Sequence, residues 1–256
     1  MRLQNKVAIV TGAGSGIGAG IATRFAGEGA QVIVNDINDR GGDATVKAIT
    51  HTGGRAVFQH ADVTTDAGWR LLIAAATTNF GGLDCVVNNA GWTHVNRPFT
   101  EVGEADFDRC FTVNVKSVYL AAQNALPLFR KQGKVRGGTM VNIASTAGVR
   151  PRPGLTVYNA SKGAVVLMSK SMAAEFAPDN VRVNCVNPVF NPDTALSTAF
   201  AGGELDDARR ARFLVTIPLG RFSTAQDVAN ACLYLASDEA SFVTGVNIEV
   251  DGGRCV

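Results

Sequence analysis

The run V-A-I-V-T-G-A-G-S-G-I-G, Val7 to Gly18, decides how this chain folds. Four apolar residues without alternation suit a strand covered on both faces, and such strands belong to parallel sheets. The glycines at 12, 14, 16 and 18 then let the backbone turn tightly and approach a ligand closely. A helix starting near residue 17 would present its N-terminus to a pyrophosphate. The spacing is not a strict G-x-G-x-x-G, although Gly14, Gly16 and Ala19 meet the looser form. Its place straight after the first strand gives the run its weight. It predicts a dinucleotide held at Gly12, Ser15, Gly16, Ile17 and Gly18.

The same rhythm continues outward. Val/Ile-rich runs at Val32–Asn35, Ala56–Gln59, Cys85–Asn88, Met140–Ile143, Arg182–Val186 and Asn247–Val250 alternate with helix candidates near 17–28, 40–51, 66–80, 103–130, 157–177 and 225–236. Strand–helix alternation implies βαβ units with right-handed crossovers. The expected fold class is α/β, one doubly wound domain over 1–256 with a seven-stranded parallel sheet. The stretch 189–224, with Pro192, Gly202, Gly203, Pro218 and Gly220, breaks the rhythm. A long excursion after a strand's C-terminal end suits a substrate loop, expected at about 189–217.

Composition narrows the function classes. The 256 residues carry 24 basic and 22 acidic side chains, a net charge of +2, which points to neither nucleic acid nor an anionic membrane. The five cysteines are scattered and contain no C-x-x-C, which fits a reducing cytoplasm better than a disulfide framework or a zinc site. Three histidines without ligand spacing predict no metal. The apolar run at the N-terminus is too short for a signal-peptide core or a membrane span.

The strand ends carry the chemistry. Asp36, ending the second strand, suits the adenosine ribose hydroxyls and repels a 2′-phosphate. Ile37 beside it supplies no compensating cation, so the pattern favours NAD over NADP. Asp62 and Val63, ending the third strand, suit an adenine ring, although Asp62, Thr64 and Thr65 equally suit a helix N-cap. Asn88, Asn89, Ala90 and Gly91 follow the fourth strand, where amides and a glycine hold backbone in register or admit a ribose. Asn114 falls in mid-helix, where asparagine is a poor former, and a hydrogen bond across to Lys162 would account for it.

Tyr158 and Lys162 stand four residues apart in Y-N-A-S-K and share a helix face. An ammonium beside a phenol favours phenolate, which predicts a Tyr158 pKa lowered toward neutrality and a proton exchanged with an alcohol or ketone oxygen. Ser145, thirteen residues upstream, can hydrogen-bond the same oxygen.

These motifs, with V-T-G-V-N-I-E-V-D-G-G at 243–253, resemble the short-chain dehydrogenase/reductase family over essentially the whole chain. The resemblance implies a single-domain Rossmann fold that binds a nicotinamide cofactor. It implies Tyr158 as general acid/base, Ser145 as the group orienting the substrate oxygen, and Lys162 as the group binding the nicotinamide ribose. It also implies Asn114 as the holder of a relay water. One departure stands out: N-P-V-F-N-P-D-T at 187–194 has Val189 where the family has glycine, and Thr194 falls one residue late. Pro188, Val189 and Asn191 are still expected to flank the nicotinamide.

Basic residues at 130, 131, 134 and 136 either dock an acidic carrier protein or are solvated cations at a helix end. Arg152, between Ser145 and Tyr158, either binds a substrate carboxylate through its planar fork or is an exposed loop arginine. His94 either lines the substrate pocket or lies at the surface. The resulting expectation is an NAD(H)-dependent oxidoreductase that interconverts a secondary alcohol and a ketone. The family's habit of pairing long helices implies a homotetramer, with Ala121, Ala122, Ala160, Ala164 and Met168 at the contacts. The rivals are an NADPH-dependent 3-oxoacyl-carrier-protein reductase and a dinucleotide-binding sensor without turnover, the latter disfavoured by the intact Ser145, Tyr158, Lys162 and Asn114 set.

Overall fold

In a computed structural model describing residues 1–256, seven strands form one parallel sheet in the order β3-β2-β1-β4-β5-β6-β7. They are β1 (Val7–Thr11), β2 (Gln31–Asp36), β3 (Arg55–His60), β4 (Cys85–Asn88), β5 (Gly138–Ile143), β6 (Val181–Pro188) and β7 (Asn247–Val250). The sheet reverses its winding between β1 and β4, which pair directly. The strands read as unbroken apolar runs because both faces are covered. In β1, Val7 and Ile9 enter the layer that holds Trp69, Leu72, Phe129 and Val165, while Ala8 and Val10 enter the opposite layer with Ile21, Phe25, Val228 and Leu233.

Helices α1 (Gly16–Gly27), α2 (Asp39–His51) and α3 (Asp66–Phe80) follow the first three strands closely. The starts of α2 and α3 obey capping chemistry: Asn38 accepts from the Gly41 N–H and Thr65 from the Gly68 N–H. Thr65 therefore caps α3, while the Asp62 carboxylate accepts from the N–H and hydroxyl of Thr64. Trp69 is fully buried and donates its indole N–H to the Val63 carbonyl at 3.0 Å. Its truncation to alanine would cost about 3–5 kcal/mol.

The helix expected over 103–130 is instead interrupted. Helix α4 (Glu104–Phe111) passes through a wide π turn at Thr112–Lys116 before α5 (Ser117–Gln132) continues. Asn114 lies buried in that turn. Helix α6 (Thr156–Phe176) carries Tyr158 and Lys162. The excursion after β6 is partly helical, with α7 (Ser197–Ala201) and α8 (Asp207–Leu214), before α9 (Ala225–Ala236) starts on a Thr224–Asp227 capping box. Two of the small residues expected at subunit contacts, Ala121 and Ala122, face the core instead; the exposed apolar side chains of α5 and α6 are Tyr119 and Leu167. No helix is long and apolar enough to cross a membrane.

Candidate active site

The glycine turn is fixed from the neighbouring strand. Gly12 has φ +61°, and a Cβ on Gly18 would stand 2.2 Å from the Gly12 carbonyl, so both positions exclude larger residues. Across the reversal of the sheet, the Asn89 side-chain amide donates to the carbonyls of Thr11 (2.8 Å) and Gly12 (3.1 Å). The Thr11 hydroxyl accepts from the N–H groups of Asn89 and Ala90, both at 3.0 Å. N-N-A-G thus holds the β4 end against the turn.

The strand ends open into one cavity of about 380 Å³. Every residue expected at the cofactor lines it. Gly12, Ser15, Gly16, Ile17 and Gly18 come from the turn, Asp36 and Ile37 from β2, and Asp62 and Val63 from beyond β3. Asn89, Ala90 and Gly91 follow β4, Tyr158 and Lys162 come from α6, and Pro188, Val189 and Asn191 come from the end of β6. Ser145 and Arg152 line the same cavity. Sheet order puts Asp36 and Asp62 on one side of the reversal and Ser145 and Pro188 on the other.

A nicotinamide dinucleotide fits these residues. The first turn of α1 holds no acid and Ser15 makes no side-chain cap, which leaves the N–H groups there free for a pyrophosphate. The Asp36 carboxylate accepts from the N–H groups of Gly14 and Asn38, both at 2.9 Å, which fixes it at the cavity wall. At the far end the buried Asn191 amide nitrogen has no partner. Val189 replaces a family glycine without strain, since its φ is not positive, and its N–H donates to the Val250 carbonyl. Thr194 also lines the cavity, donating its hydroxyl to the Asn191 carbonyl at 3.2 Å.

At the reacting end, Ser145, Tyr158 and Lys162 are all buried. The Ser145 hydroxyl accepts from the Ala147 N–H at 3.1 Å. The Lys162 ammonium donates to the Ile143 carbonyl at 2.9 Å and stands 5.8 Å from the Tyr158 ring centroid. Burial lowers the Lys162 pKa to about 8. The Tyr158 phenol runs against expectation: burial raises its pKa, opposed by a hydrogen bond with Ser145 and reinforced by Cys110. Desolvation of the phenolate outweighs the Ser145 hydrogen bond.

Asn114 also departs from expectation. It makes no hydrogen bond to Lys162. Its carbonyl accepts from the Trp92 N–H (2.8 Å), and its amide donates to the Trp92 carbonyl and the Ser161 hydroxyl, both at 2.9 Å. The π turn provides the room for these bonds, which lock the chain after Gly91 onto α6. A Cβ on Gly91 would stand 3.5 Å from both Asn114 Oδ1 and Lys162 Nζ, so the two side chains do converge on one point. His94 is neither pocket-lining nor superficial: it is buried, with its Nδ1 against the Val95 carbonyl at 2.9 Å. No group of three metal-ligating side chains is gathered anywhere.

Several lining residues were not anticipated, among them Asn35, Trp92, Arg109, Val113, Phe190 and Phe200. Four phenylalanines spaced through 190–222 were the available signal that the excursion packs as a small core of its own. Phe190 stacks on Phe213 with centroids 4.3 Å apart and meets Phe222 edge-on, while Phe200 reaches Tyr158.

Comparison with known proteins agrees with this architecture. The family model described as enoyl-(acyl carrier protein) reductase matches residues 12–254. The chain is 50% identical to a 4-formylbenzenesulfonate dehydrogenase of Comamonas testosteroni, over 99% of each chain. It is 38% identical to a cyclopentanol dehydrogenase of Comamonas sp., over 98% of each. The crystal structure of a 3-ketoacyl-(acyl-carrier-protein) reductase from Brucella melitensis, complexed with NADH, superposes with a TM-score of 0.92 at 40% identity, over 99% of this chain and 100% of that one. With the glycine turn, the N-N-A-G clasp and the Ser145–Tyr158–Lys162 group in one cavity, the chain belongs to the short-chain dehydrogenase/reductase family and has the fold of an oxidoreductase acting on CH–OH groups.

Proposed function

We propose that the protein is an NAD(H)-dependent oxidoreductase that interconverts a ring-bearing alcohol, in the first instance a secondary one, with its carbonyl partner. The observation that carries the reading is the meeting of the Tyr158 phenol, the Ser145 hydroxyl and the Lys162 ammonium in a cavity whose other end is walled by Asp36. A nicotinamide held along this wall would supply the hydride chemistry. Ser145 donates a hydrogen bond to the substrate oxygen and orients it. Tyr158 takes the hydroxyl proton in oxidation and returns it in reduction. Lys162, held by the Ile143 carbonyl, stabilises the phenolate and binds ribose hydroxyls. Asn114 fixes the Trp92 backbone on one side and Ser161 on the other, and so positions α6 against the cavity floor.

The charge of the wall supports NAD over NADP. Its basic residues are Arg109, Arg152 and Lys162, none of them on the β2–β3 side, where Asp36 would face a 2′-phosphate. The Brucella relative's complex with NADH accords with this choice. The names of the two dehydrogenase relatives refer to an aromatic aldehyde and a cyclic alcohol, in keeping with a cavity walled by Trp92, Phe190 and Phe200. The carrier-protein rival draws less support. Arg130 and Arg136 are engaged by Asp179 and Asp84, both at 2.8 Å, and those acids precede β6 and β4, at the end of the sheet away from the cavity.

In this reading residues 1–256 form one catalytic unit, 189–217 is its substrate loop, and the protein works in the cytoplasm as a homotetramer. Absorbance assays with NAD or NADP and a panel of benzylic and cyclic alcohols test the chemistry. Absence of NADH formation with every alcohol, together with tight NAD binding, would leave the non-catalytic sensor as the better reading. Light scattering that returns a monomer mass at micromolar concentration would remove the tetramer.

A further inference from the structure

Arg152 is a half-buried cation without a counter-ion. Its guanidinium lies over the Phe213 ring, 4.8 Å from the centroid, and donates to the Thr216 hydroxyl at 3.1 Å. Eight other arginines pair with carboxylates; Arg152 forms no ion pair. Its surroundings add positive charge. Burial lowers its pKa to about 10, and Arg254 and Arg150 push in the same direction. Arg150 donates to the carbonyls of Arg254 and Val256. Arg254 is itself buried, with Nε and Nη1 unpartnered. The acid closest to it in sequence, Asp251, spends its carboxylate on the N–H groups of Gly253 and Cys255.

A guanidinium partly removed from water and left unpaired is costly, and it is retained where a ligand brings the opposite charge. Cofactor phosphate is not that ligand, because the glycine turn and α1 lie beyond the reversal of the sheet, whereas Arg152 follows β5. The acids lining the cavity, Asp36 and Asp62, lie on the far side as well. Arg152 is tied to the reacting end: its carbonyl accepts from the side-chain amide of Asn159, the neighbour of Tyr158, at 2.8 Å. In the same cavity, Trp92, Phe190 and Phe200 offer apolar, flat walls.

We propose that the substrate is an aromatic alcohol or carbonyl compound carrying an oxyanion, carboxylate or sulfonate, at the end remote from the reacting carbon, and that Arg152 binds this oxyanion. The planar fork of Arg152 suits two oxygens of either group. The inference rests on the oxidoreductase reading for its assay, but its binding component stands apart from turnover.

The test uses the NAD-loaded protein and three probes that differ only in the remote group: 4-(hydroxymethyl)benzenesulfonate, 4-(hydroxymethyl)benzoate and the neutral 4-(hydroxymethyl)benzamide. In the wild type, kcat/KM for at least one anionic probe should exceed that for the amide by about tenfold or more, the range for hydrogen bonds to charged groups. The better anion identifies the oxyanion. In Arg152→Met the ratio should collapse toward one, mainly through KM, with Arg152→Lys intermediate. A wild-type ratio near one, or a ratio that survives in Arg152→Met, overturns the proposal. If the methionine variant does not fold, the wild-type ratio and the lysine variant decide. If no probe is oxidised, primary benzylic alcohols are excluded as substrates while the wider oxidoreductase reading rests on its own panel, and calorimetry with benzenesulfonate, benzoate and benzamide decides the role of Arg152. Tighter binding of an anion that is lost in the variants supports Arg152, and equal binding of all three rejects it.

Discussion

Phe200 sets its ring edge-on against Tyr158, with centroids 4.8 Å apart and planes at 82°. The excursion after β6 therefore touches the proposed proton-transfer group itself. An edge-to-face pair contributes about 0.5–1.5 kcal/mol beyond area burial. Phe200→Ala should raise KM for the alcohol by roughly two- to tenfold on that scale, while the dissociation constant for NAD stays within twofold of the wild type on the same order-of-magnitude basis. Steady-state kinetics and NAD titration check both halves. An unchanged KM would mean that the loop does not shape the substrate end.

Tyr158→Phe keeps the ring, and with it the Phe200 contact, but removes the proton-transfer oxygen. Turnover should fall by at least about 10²-fold, the scale of general acid–base contributions. NAD affinity should change little, since the phenol is remote from the adenine half. Retention of near-normal turnover would assign the proton to another group.

Lys162 makes its own contribution to the pH response of stability. Its pKa is lowered to about 8 in the folded protein from 10.5, so below about pH 8 the folded state holds a buried ammonium at a cost. Between about pH 8 and 10.5 the unfolded chain binds more protons than the folded one, and this residue's contribution to stability rises with pH. The Tyr158 pKa is raised, so its contribution has the opposite sign and sets in from about pH 10 upward, and it is common to the wild type and the variant. Lys162→Met should therefore gain relative to the wild type at pH 7, and that gain should shrink at higher pH. Urea melts of the cofactor-free proteins at pH 7 and about pH 9.5 measure it, with the higher pH chosen to lie inside the linkage window. A gain that grows with pH would contradict the assignment. The same variant should lose both turnover and NAD affinity.

Cofactor choice should follow the charge of Asp36. Asp36 also accepts from Gly14 and Asn38, so Asp36→Asn, which keeps an acceptor, tests charge with less damage to the turn than alanine does. The wild type should prefer NAD clearly, and the variant should narrow the ratio of specificity constants by about tenfold, roughly one charge-assisted interaction. Equal use of NADP by the wild type would remove Asp36 from this role.

Local patterns made much of this molecule legible. The strands could be found because each is an unbroken apolar run, and strand ends in a parallel sheet necessarily bring Gly12, Asp36, Asp62, Asn89, Ser145 and Pro188 to one edge. Features that depend on packing between distant segments were not legible. Asn114 was rightly singled out as costly in a helix, but its partners, Trp92 and Ser161, lie 22 and 47 residues away. The Tyr158 pKa turns on burial, which a four-residue spacing does not encode. His94 reads as polar, and only the packed fold makes it a buried side chain. The excursion's turn residues concealed four phenylalanines that pack together, two of which, Phe190 and Phe200, line the cavity.

The strand order carries a consequence for how the chain is made. β1 pairs on one side with β2, which follows it closely, but on the other with β4, whose first residue is Cys85. During synthesis β1, an interior strand buried along its whole length, therefore waits, one edge open, until some seventy further residues have left the ribosome. An open edge of this kind is a template for association between chains, and the delay is the loop-closure burden of high contact order. Synthesis halted before β4 should yield aggregation-prone fragments. In pulse-labelling experiments the β1–β4 amides should gain protection together with the N-N-A-G clasp, so that the edge closes and the cofactor turn forms in one event.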